Sequence, residues 1–304
     1  MGDWYLNATL FLPFQELNTL DLGYNYIAGC VANEGFERLS RLNKLESLDL
    51  GFNNLNNSIL SSLKGLSSLK HLSLWGNRLN GSIDTKGFER LSRLNKLESL
   101  DLGFNNLNNS ILSSLKGLSS LKHLYLYDNQ LKGSIDPKDF DSLSELEELY
   151  LGGNEIQNFV TSTGFERPGS LDKLEILHLS YNRISDLSFL KGLSSLKHLY
   201  LDNNQLKGSM EMKEFDSMSE LVELRLEENK IQNFATSTGS ERSLGLNKLE
   251  ILGLSFNKFN DSSLSFLEGL SSLKQLNLDN NQLKGPMDIK GLCELKQLQE
   301  LLIS

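Results

Sequence analysis

The chain has 304 residues, of which 67 are leucine, and its 30 basic and 39 acidic residues give a net charge of −9. This acidic balance excludes a nucleic-acid binder that works through a basic surface. No apolar run approaches the roughly 18 residues that a transmembrane helix needs, and the N-terminus lacks the basic and apolar regions of a signal peptide.

One motif, LxxLxLxxNxL, recurs along the whole chain, with clear copies starting at Leu45 and Leu97. Within each copy, the Leu-x-Leu segment alternates with the period of a β-strand that buries one face. The motif asparagines follow one another at intervals of 22 to 28 residues: Asn25, Asn53, Asn77, Asn105, Asn129, Asn154, Asn182, Asn204, Asn229, Asn257 and Asn281.

In chain order, the repeats predict a single domain over residues 1–304. Strands of successive turns should pair in parallel and stack their leucines into a core that no single turn could bury. Eleven turns and a partial twelfth lie near residues 17–44, 45–68, 69–96, 97–120, 121–145, 146–173, 174–195, 196–220, 221–248, 249–272, 273–297 and 298–304.

The motif asparagines are interpreted as structural. Each one follows a predicted strand, at the bend where the chain leaves the sheet. There its side-chain amide can bond backbone groups that the bend leaves unpaired in the core. We therefore expect these asparagines to form a ladder of hydrogen bonds and to have no catalytic role.

Several copies continue after the asparagine with a glycine and then isoleucine or methionine, as in residues 79–83 and 131–135. This pattern resembles the plant extracellular leucine-rich repeat, LxxLxLxxNxLxGxIPxxLxxLxx, of receptor-like proteins and receptor-kinase ectodomains. The resemblance implies an α/β solenoid, a leucine-rich-repeat horseshoe or superhelix with a parallel β-sheet on its concave face. The convex side would carry loops, short helices and a partial second sheet.

Two features concern the convex side. Asp84 and Asp136 replace the proline of the family pattern, so the second sheet is expected to be irregular in those turns. The longer turns carry a phenylalanine at a matching position, which is expected to fill the convex side: Phe36, Phe88, Phe140 and Phe215.

An internal duplication keeps the scaffold and alters the surface. Residues 35–72 and 87–124 are identical, and directly after them Ser73 and Trp75 correspond to Tyr125 and Tyr127. The leucines and the asparagine stay the same, whereas these changes fall beside the leucines, on the face that a horseshoe exposes inside. The pattern suits a recognition surface, and neutral drift at exposed positions predicts the same pattern.

The concave face is the candidate binding site, because tyrosine and tryptophan are typical interface anchors. Strands about 4.8 Å apart would place four rings in one row: Tyr125, Tyr150, His178 and Tyr200. The alternative is that aromatic residues favour strands and line this face for stability. The predicted ligand-binding residues are His71, Trp75, His123, Tyr125, Tyr127, Tyr150, His178, His198, Tyr200, Asp202, Arg225 and Glu227.

The sequence offers no support for catalysis, a cofactor or a metal site. Nucleotide-binding, metalloprotease, hydrolase and kinase motifs are missing from it. His71 and His123 lie two turns apart, about 10 Å by strand spacing, which is too far to share an ion. His178 and His198 lie on adjacent turns, but a third ligand is not evident.

Five Asn-x-Ser/Thr sequons occur, at Asn7, Asn56, Asn80, Asn108 and Asn260. The last four fall three residues after a motif asparagine, so glycans there would cover one flank and leave the concave face open. Asparagine and serine also accumulate at bends for conformational reasons. Together with the resemblance, the sequons predict a position on the extracellular side of the plasma membrane in the full-length protein.

The leading hypothesis is a non-catalytic recognition module of a plant receptor-like protein. It would bind a peptide, protein or glycan on the concave face and signal through a partner or co-receptor kinase in defence or development, without contacting nucleic acid or membrane itself. The alternatives are a secreted inhibitor of a hydrolase such as polygalacturonase, and a sensor segment of an intracellular immune receptor. The full-length gene would discriminate these three hypotheses. A downstream membrane helix favours the receptor, paired caps followed by a stop codon favour the inhibitor, and an upstream P-loop favours the intracellular sensor.

The chain is also expected to be a fragment or a truncated product. The resemblance implies flanking caps with paired cysteines, a membrane helix and, in some relatives, a kinase, none of which we find in the sequence. Cys30 and Cys293 lie in the first turn and beyond the eleventh, about 50 Å apart by strand spacing, so we expect them not to pair with each other.

Overall fold

The computed structural model describes residues 2–63, 65–81, 91–160, 171–235, 245–284 and 290–304. The chain forms two compact units, residues 1–154 and 155–304. Each unit is a stack of repeat turns, and the single domain expected over residues 1–304 stays a prediction.

The first unit contains a parallel sheet made of three-residue strands, one from each turn. The central leucines face one another in register from Leu20 to Leu149 and are buried, because each strand alternates its side chains between core and surface. The strands are Thr19–Asp21, Ser47–Asp49, His71–Ser73, Ser99–Asp101, His123–Tyr125 and Glu148–Tyr150.

The second unit repeats this arrangement. Its central leucines are in register from Leu177 to Leu301, and all are buried except Leu301 in the last strand, which is 41% exposed. The strands are Ile176–His178, His198–Tyr200, Glu223–Arg225, Ile251–Gly253, Gln275–Asn277 and Glu300–Leu302.

Short helices return the chain to the next strand. The described α-helices are Ile59–Leu63, Ser110–Ser114 and Lys290–Cys293. The described 3-10 helices are Ala8–Phe11, Phe36–Arg41, Leu91–Arg93, Pro137–Phe140, Ser188–Leu190, Met212–Phe215, Asp261–Ser263 and Ser265–Gly269.

A second set of strands lies outside the main sheet, and all of them except Trp4–Leu6 follow a motif asparagine. In the first unit Trp4–Leu6 pairs in parallel with Ile27–Cys30, and in the second unit Lys207–Glu211 pairs with Lys230–Ala235. Two further strands span Lys132–Ile135 and Glu155–Phe159. The predicted parallel-stranded repeat fold with short helices and a partial second sheet is therefore confirmed.

The aspartate that replaces the family's proline has a capping function. The strand Lys132–Ile135 forms in that turn, and the Asp136 carboxylate then accepts a hydrogen bond of 3.0 Å from the Lys138 backbone N–H, at the start of the helix Pro137–Phe140. Asp84 lies outside the described residues. The expected phenylalanines Phe36, Phe140 and Phe215 are buried in the core, and Phe88 also lies outside the described residues.

The asparagine ladder is present as expected, and Asn105 illustrates it. Its Oδ1 accepts a hydrogen bond of 3.0 Å from the Leu79 backbone N–H of the preceding turn. Its Nδ2 lies 3.0 Å from the carbonyl oxygen of Leu74 in that turn and 3.1 Å from that of Leu102 in its own. One buried amide therefore joins two successive turns through backbone groups that would otherwise lack partners.

The same bonds recur in most other turns. In each of them the asparagine Nδ2 donates to a backbone carbonyl of the preceding turn, and its Oδ1 accepts from a backbone N–H of that turn. The asparagines are Asn53, Asn77, Asn129, Asn154, Asn204, Asn229, Asn257 and Asn281. Asn25 is different: it is exposed, and its amide donates to the Gly23 carbonyl at 2.7 Å.

We expect Asn105→Ala to lower the free energy of unfolding by about 2–4 kcal/mol, because it leaves buried N–H and C=O groups of two turns without partners. Asn106→Ala is the matched control. That side chain is exposed, and among the described residues its one hydrogen bond is accepted from Gln130, so the substitution should cost about 0.5 kcal/mol or less. Urea denaturation followed by circular dichroism measures both, and equal losses would contradict the ladder interpretation.

Candidate functional site

The candidate site is the strand face, defined as the side chains at the first and third positions of each sheet strand and two residues beyond. These positions flank the buried leucines and are half-buried or exposed for all the predicted site residues. First positions hold His71, His123 and His198; third positions hold Tyr125, Tyr150, His178, Tyr200 and Arg225; Trp75, Tyr127, Asp202 and Glu227 lie two residues beyond.

In the first unit, Glu148, which the sequence analysis did not predict, contacts the predicted residues His123 and Tyr125. Glu148 Oε2 accepts a hydrogen bond of 3.1 Å from the Tyr125 hydroxyl and lies 3.3 Å from His123 Nδ1. The Tyr125 and Tyr150 rings pack with centroids 4.8 Å apart. Burial and the neighbouring Glu148 raise the pKa of Tyr125. Both rings are therefore neutral and held in place.

The second unit contains the same cluster with one addition. Glu223 Oε2 lies 3.1 Å from His198 Nδ1 and accepts a hydrogen bond of 3.0 Å from the Tyr200 hydroxyl. Glu223 Oε1 accepts a 2.7 Å bond from Arg225 Nε. Burial disfavours the charged carboxylate, but the bonds from Arg225, Tyr200 and His198 lower the pKa of Glu223 below its ordinary value. Glu223 is therefore an ionised acceptor.

We call these the two His–Tyr–Glu clusters: His123–Tyr125–Glu148 and His198–Tyr200–Glu223. A sequence signal for them existed. In both cases the His-Leu-Tyr strand is followed 25 residues later by a glutamate at the first position of the next strand, and the parallel register pairs that glutamate with the histidine.

The remaining predicted residues of the second unit pack around its cluster. His178 stacks on Tyr200 with ring centroids 5.1 Å apart, and burial lowers its pKa, so the imidazole is neutral near pH 7. Asp202 accepts a hydrogen bond from the Ser180 hydroxyl. Glu227 Oε1 lies 3.3 Å from an Arg225 guanidinium nitrogen, and burial raises the pKa of Glu227.

Within each unit, neighbouring rings of the expected row pack together, Tyr125 with Tyr150 in the first unit and His178 with Tyr200 in the second. The full row of four rings stays a prediction. His71 belongs to neither cluster. It is exposed, and its strand neighbours are Ser47 and Ser99.

The first unit also presents an aromatic row that the sequence analysis found only in part. We define this aromatic row as Tyr24, Phe52, Trp75, Phe104 and Tyr127. Successive ring centroids are 4.8, 5.3, 6.2 and 5.4 Å apart. Tyr24, Phe52 and Phe104 are 64%, 49% and 52% exposed.

Backbone conformation explains why three members of the row were missed. Tyr24, Phe52 and Phe104 directly precede motif asparagines and have φ of 60°, 52° and 48°. This left-handed region is uncommon for bulky residues, so strand periodicity does not reveal where their rings point.

Glycines allow the other two rings to join the row. A Cβ atom built on Gly51 would lie 2.3 Å from Nε1 of Trp75, and one on Gly103 would lie 2.4 Å from Cζ of Tyr127. Each large ring therefore lies directly over a glycine of the preceding turn, which no other residue type could occupy without moving the ring.

The described residues contain neither a metal-binding cluster nor a membrane-spanning helix. No group of three or more His, Cys, Asp or Glu side chains in them is arranged to hold a metal ion. None of their helices is long and apolar enough to cross a bilayer. Both cysteines, Cys30 and Cys293, are free thiols, and burial raises the pKa of Cys30 to about 11.

Comparison with known families defines the class. Leucine-rich-repeat family models match residues 41–64 and 95–156, and a model of two leucine-rich-repeat copies matches residues 172–217. Among solved structures, PEPR1–AtPEP1 superimposes with a TM-score of 0.65 at 26% identity, over 99% of this chain and 43% of that one. The plant peptide hormone receptor RGFR1 in complex with RGF2 gives 0.58 at 24% identity, over 95% and 51%. The chain therefore contains leucine-rich repeats in the matched segments.

Within that class, the sequence relatives are plant receptor-like proteins. Cuscuta receptor 1 of Solanum lycopersicum is 37% identical over 220 residues, which cover 60% of this chain and 19% of that protein. Receptor-like protein 9a of Arabidopsis thaliana is 41% identical over 124 residues, covering 40% and 12%. The resemblance inferred from the repeat motif is confirmed, and the chain spans less than a fifth of the length of these two relatives.

Asp101 makes the stability of the fold depend on pH. Burial raises its pKa from 3.8 to about 6, and the nearby Asp49 adds to the shift, while hydrogen bonds from the Gly103 N–H and the Tyr127 hydroxyl oppose it. The folded chain thus holds this proton more tightly than the unfolded chain, so protonation adds stability as the pH falls from about 6 to about 4.

We therefore expect Asp101→Asn to raise the free energy of unfolding by about 1–2 kcal/mol near pH 7, where the wild-type carboxylate is ionised. The difference between variant and wild type should shrink as the pH falls towards about 4. Urea denaturation at pH values across this range measures the difference, and parallel pH profiles for the two proteins would contradict the assignment.

Proposed function

We propose that this chain is a non-catalytic recognition module that binds a peptide or protein ligand on its strand face. As the resemblance to receptor-like proteins implies, a separate kinase would transmit the signal, in defence or development. Membership of the leucine-rich-repeat class supports this proposal, as do the plant receptor-like relatives.

The observation that carries the proposal is the pair of His–Tyr–Glu clusters. In each, the hydroxyl of a half-buried tyrosine is fixed by a glutamate, and its ring is stacked on an aromatic neighbour, Tyr150 or His178. Side chains held this way lose little conformational freedom when a ligand binds, and tyrosine offers a large contact area with a polar end. They are therefore pre-organised for binding.

The surroundings of the two clusters differ, so each cluster offers a ligand different contacts. At the third strand position next to the tyrosine, the first unit has Tyr150 and the second has Arg225. The first cluster thus presents a second aromatic ring, whereas the second presents a guanidinium between two carboxylates.

To test this site, peptides would be selected from a random display library on the immobilised full chain, and their Kd measured for wild type, Tyr125→Ala and Tyr200→Ala. We expect each variant to bind about tenfold or more weakly, because aromatic anchors dominate interface energetics. Tyr5→Ala is the matched control, since Tyr5 is 60% exposed on a different strand.

Thermal melting of each variant separates binding from folding. Selected peptides that bind both variants as tightly as wild type would rule out the strand face. Lost stability with unchanged affinity would show that these rings serve the scaffold.

We further propose that the chain lies outside the cell and carries glycans at its sequons. The side chains of Asn7, Asn56, Asn108 and Asn260 each accept a hydrogen bond from the backbone N–H two residues later, through Oδ1. The Nδ2 atom that would carry the sugar takes no part in these bonds.

The exposure of each sequon asparagine should determine its glycan occupancy. Asn56 and Asn260 are exposed, whereas Asn80 is half-buried and its carbonyl oxygen accepts a 2.8 Å hydrogen bond from the Asn57 amide. After expression through a plant secretory pathway, we expect high glycan occupancy at Asn56 and Asn260 and low occupancy at Asn80. Mass spectrometry after deglycosylation in heavy-oxygen water measures it; high occupancy at Asn80 with Asn56 empty would contradict the ranking.

A further inference from the structure

The aromatic row is the largest exposed ring cluster in the described part of the chain. It follows five consecutive turns, so it extends over about 19 Å at the spacing of parallel strands. Phe52 and Phe104, in the two copies of the duplication, are each about half exposed, and neighbouring rings pack against one another. Contiguous exposed apolar surface of this kind marks interaction sites.

Acidic side chains lie along the same turns. Asp21, Asp49 and Asp101 occupy the third strand position, and each accepts a hydrogen bond from the N–H of the glycine two residues later, at 2.9, 2.7 and 2.9 Å. Asp101 also accepts one from the Tyr127 hydroxyl of the row. Asp128 follows Tyr127 and is exposed. None of these four carboxylates has an ion-pair partner among the described residues. The row therefore combines aromatic faces with uncompensated negative charge.

The second unit shows which chemical group fits between carboxylates on this face. There Arg225 lies between Glu223 and Glu227, with nitrogen–oxygen distances of 2.7 and 3.3 Å. The six described strands of the first unit's main sheet contain no arginine or lysine, and their third positions include Asp101 and Tyr125.

We propose that the aromatic row and its aspartates bind a basic peptide segment of a partner protein, with arginine side chains stacked on the rings and paired with the carboxylates. This inference rests on the proposed function and specifies its ligand class. Guanidinium groups stack on aromatic faces and pair with carboxylates, so arginine satisfies both features at once. An extended segment rises about 3.3 Å per residue, so about six residues match the length of the row.

The probe is acetylated, amidated hexa-arginine, titrated into the full chain by calorimetry at about 50 and 300 mM salt. A second readout uses Trp75 emission. The chain has two tryptophans, so Trp4→Phe leaves Trp75 as the single fluorophore. We expect saturable binding that weakens with salt, quenching of Trp75, and an affinity at least threefold above that for hexa-lysine.

The ring variant is Phe52→Asn with Phe104→Asn, because asparagine tolerates a positive φ and the backbone is preserved. We expect it to bind hexa-arginine at least fivefold more weakly. Phe256→Asn is the matched control: Phe256 has a φ of 55° and is 54% exposed, but lies in the second unit outside the row. It should bind like wild type.

The charge variant is Asp49→Asn with Asp101→Asn. Asparagine still accepts the backbone bond, as Asn277 does from Asp279 at 3.0 Å. We expect at least a fivefold loss of affinity. The control, Asp172→Asn with Asp279→Asn, removes the same charge from the second unit and should change affinity less than twofold.

Three results would overturn the inference. They are equal losses from the charge variant and its control, a ring variant that binds like wild type, and tighter binding of cellohexaose than of hexa-arginine at the row. Failure of this inference can be distinguished from failure of the proposed function. Library peptides that lack basic residues but need Tyr125 and Tyr200 for binding would support the proposed function and contradict only the basic ligand.

Discussion

The buried asparagine amide is the interaction on which the rest of the structure depends. Each turn must leave the sheet through the core, where its N–H and C=O groups cannot reach water. Asn105 and its equivalents bond these groups in two turns at once, so they hold successive strands in register. The same bend puts the preceding residue in the left-handed conformation, at φ of 52° in Phe52 and 48° in Phe104. The exposed rings of Phe52 and Phe104 thus lie at the bend where that bond forms.

Because the leucines and asparagines carry the stability, the residues between them are free to vary. The duplication shows this directly: Ser73 and Trp75 in one copy correspond to Tyr125 and Tyr127 in the other, on the same scaffold. Trp75 and Tyr127 both lie over a glycine of the preceding turn. One local geometry therefore accepts different rings, which is how a repeat scaffold acquires a specific surface without losing its fold.

The two His–Tyr–Glu clusters show how neighbours change the character of an identical arrangement. Beside Glu148 the next ring is Tyr150, and the surface is largely aromatic. Beside Glu223 the neighbour is Arg225, which also contacts Glu227, and the surface is an internally paired network of charges. The aspartates beside the aromatic row of the first unit have no such cation among the described residues, and that difference is the basis for assigning it a basic ligand.

The sequence alone determined the repeats, the buried leucines, the asparagine ladder and the positions that flank each strand, because these depend on periodicity within a single turn. It could not determine which side chains meet, since Tyr125 and Glu148 or Phe52 and Trp75 lie more than twenty residues apart and touch only when turns are stacked in register. Tyr24, Phe52 and Phe104 have positive φ, so the alternation of a strand does not predict where their rings point. The sequence thus defined the frame of the site, and the tertiary structure decided its chemistry through contacts between turns.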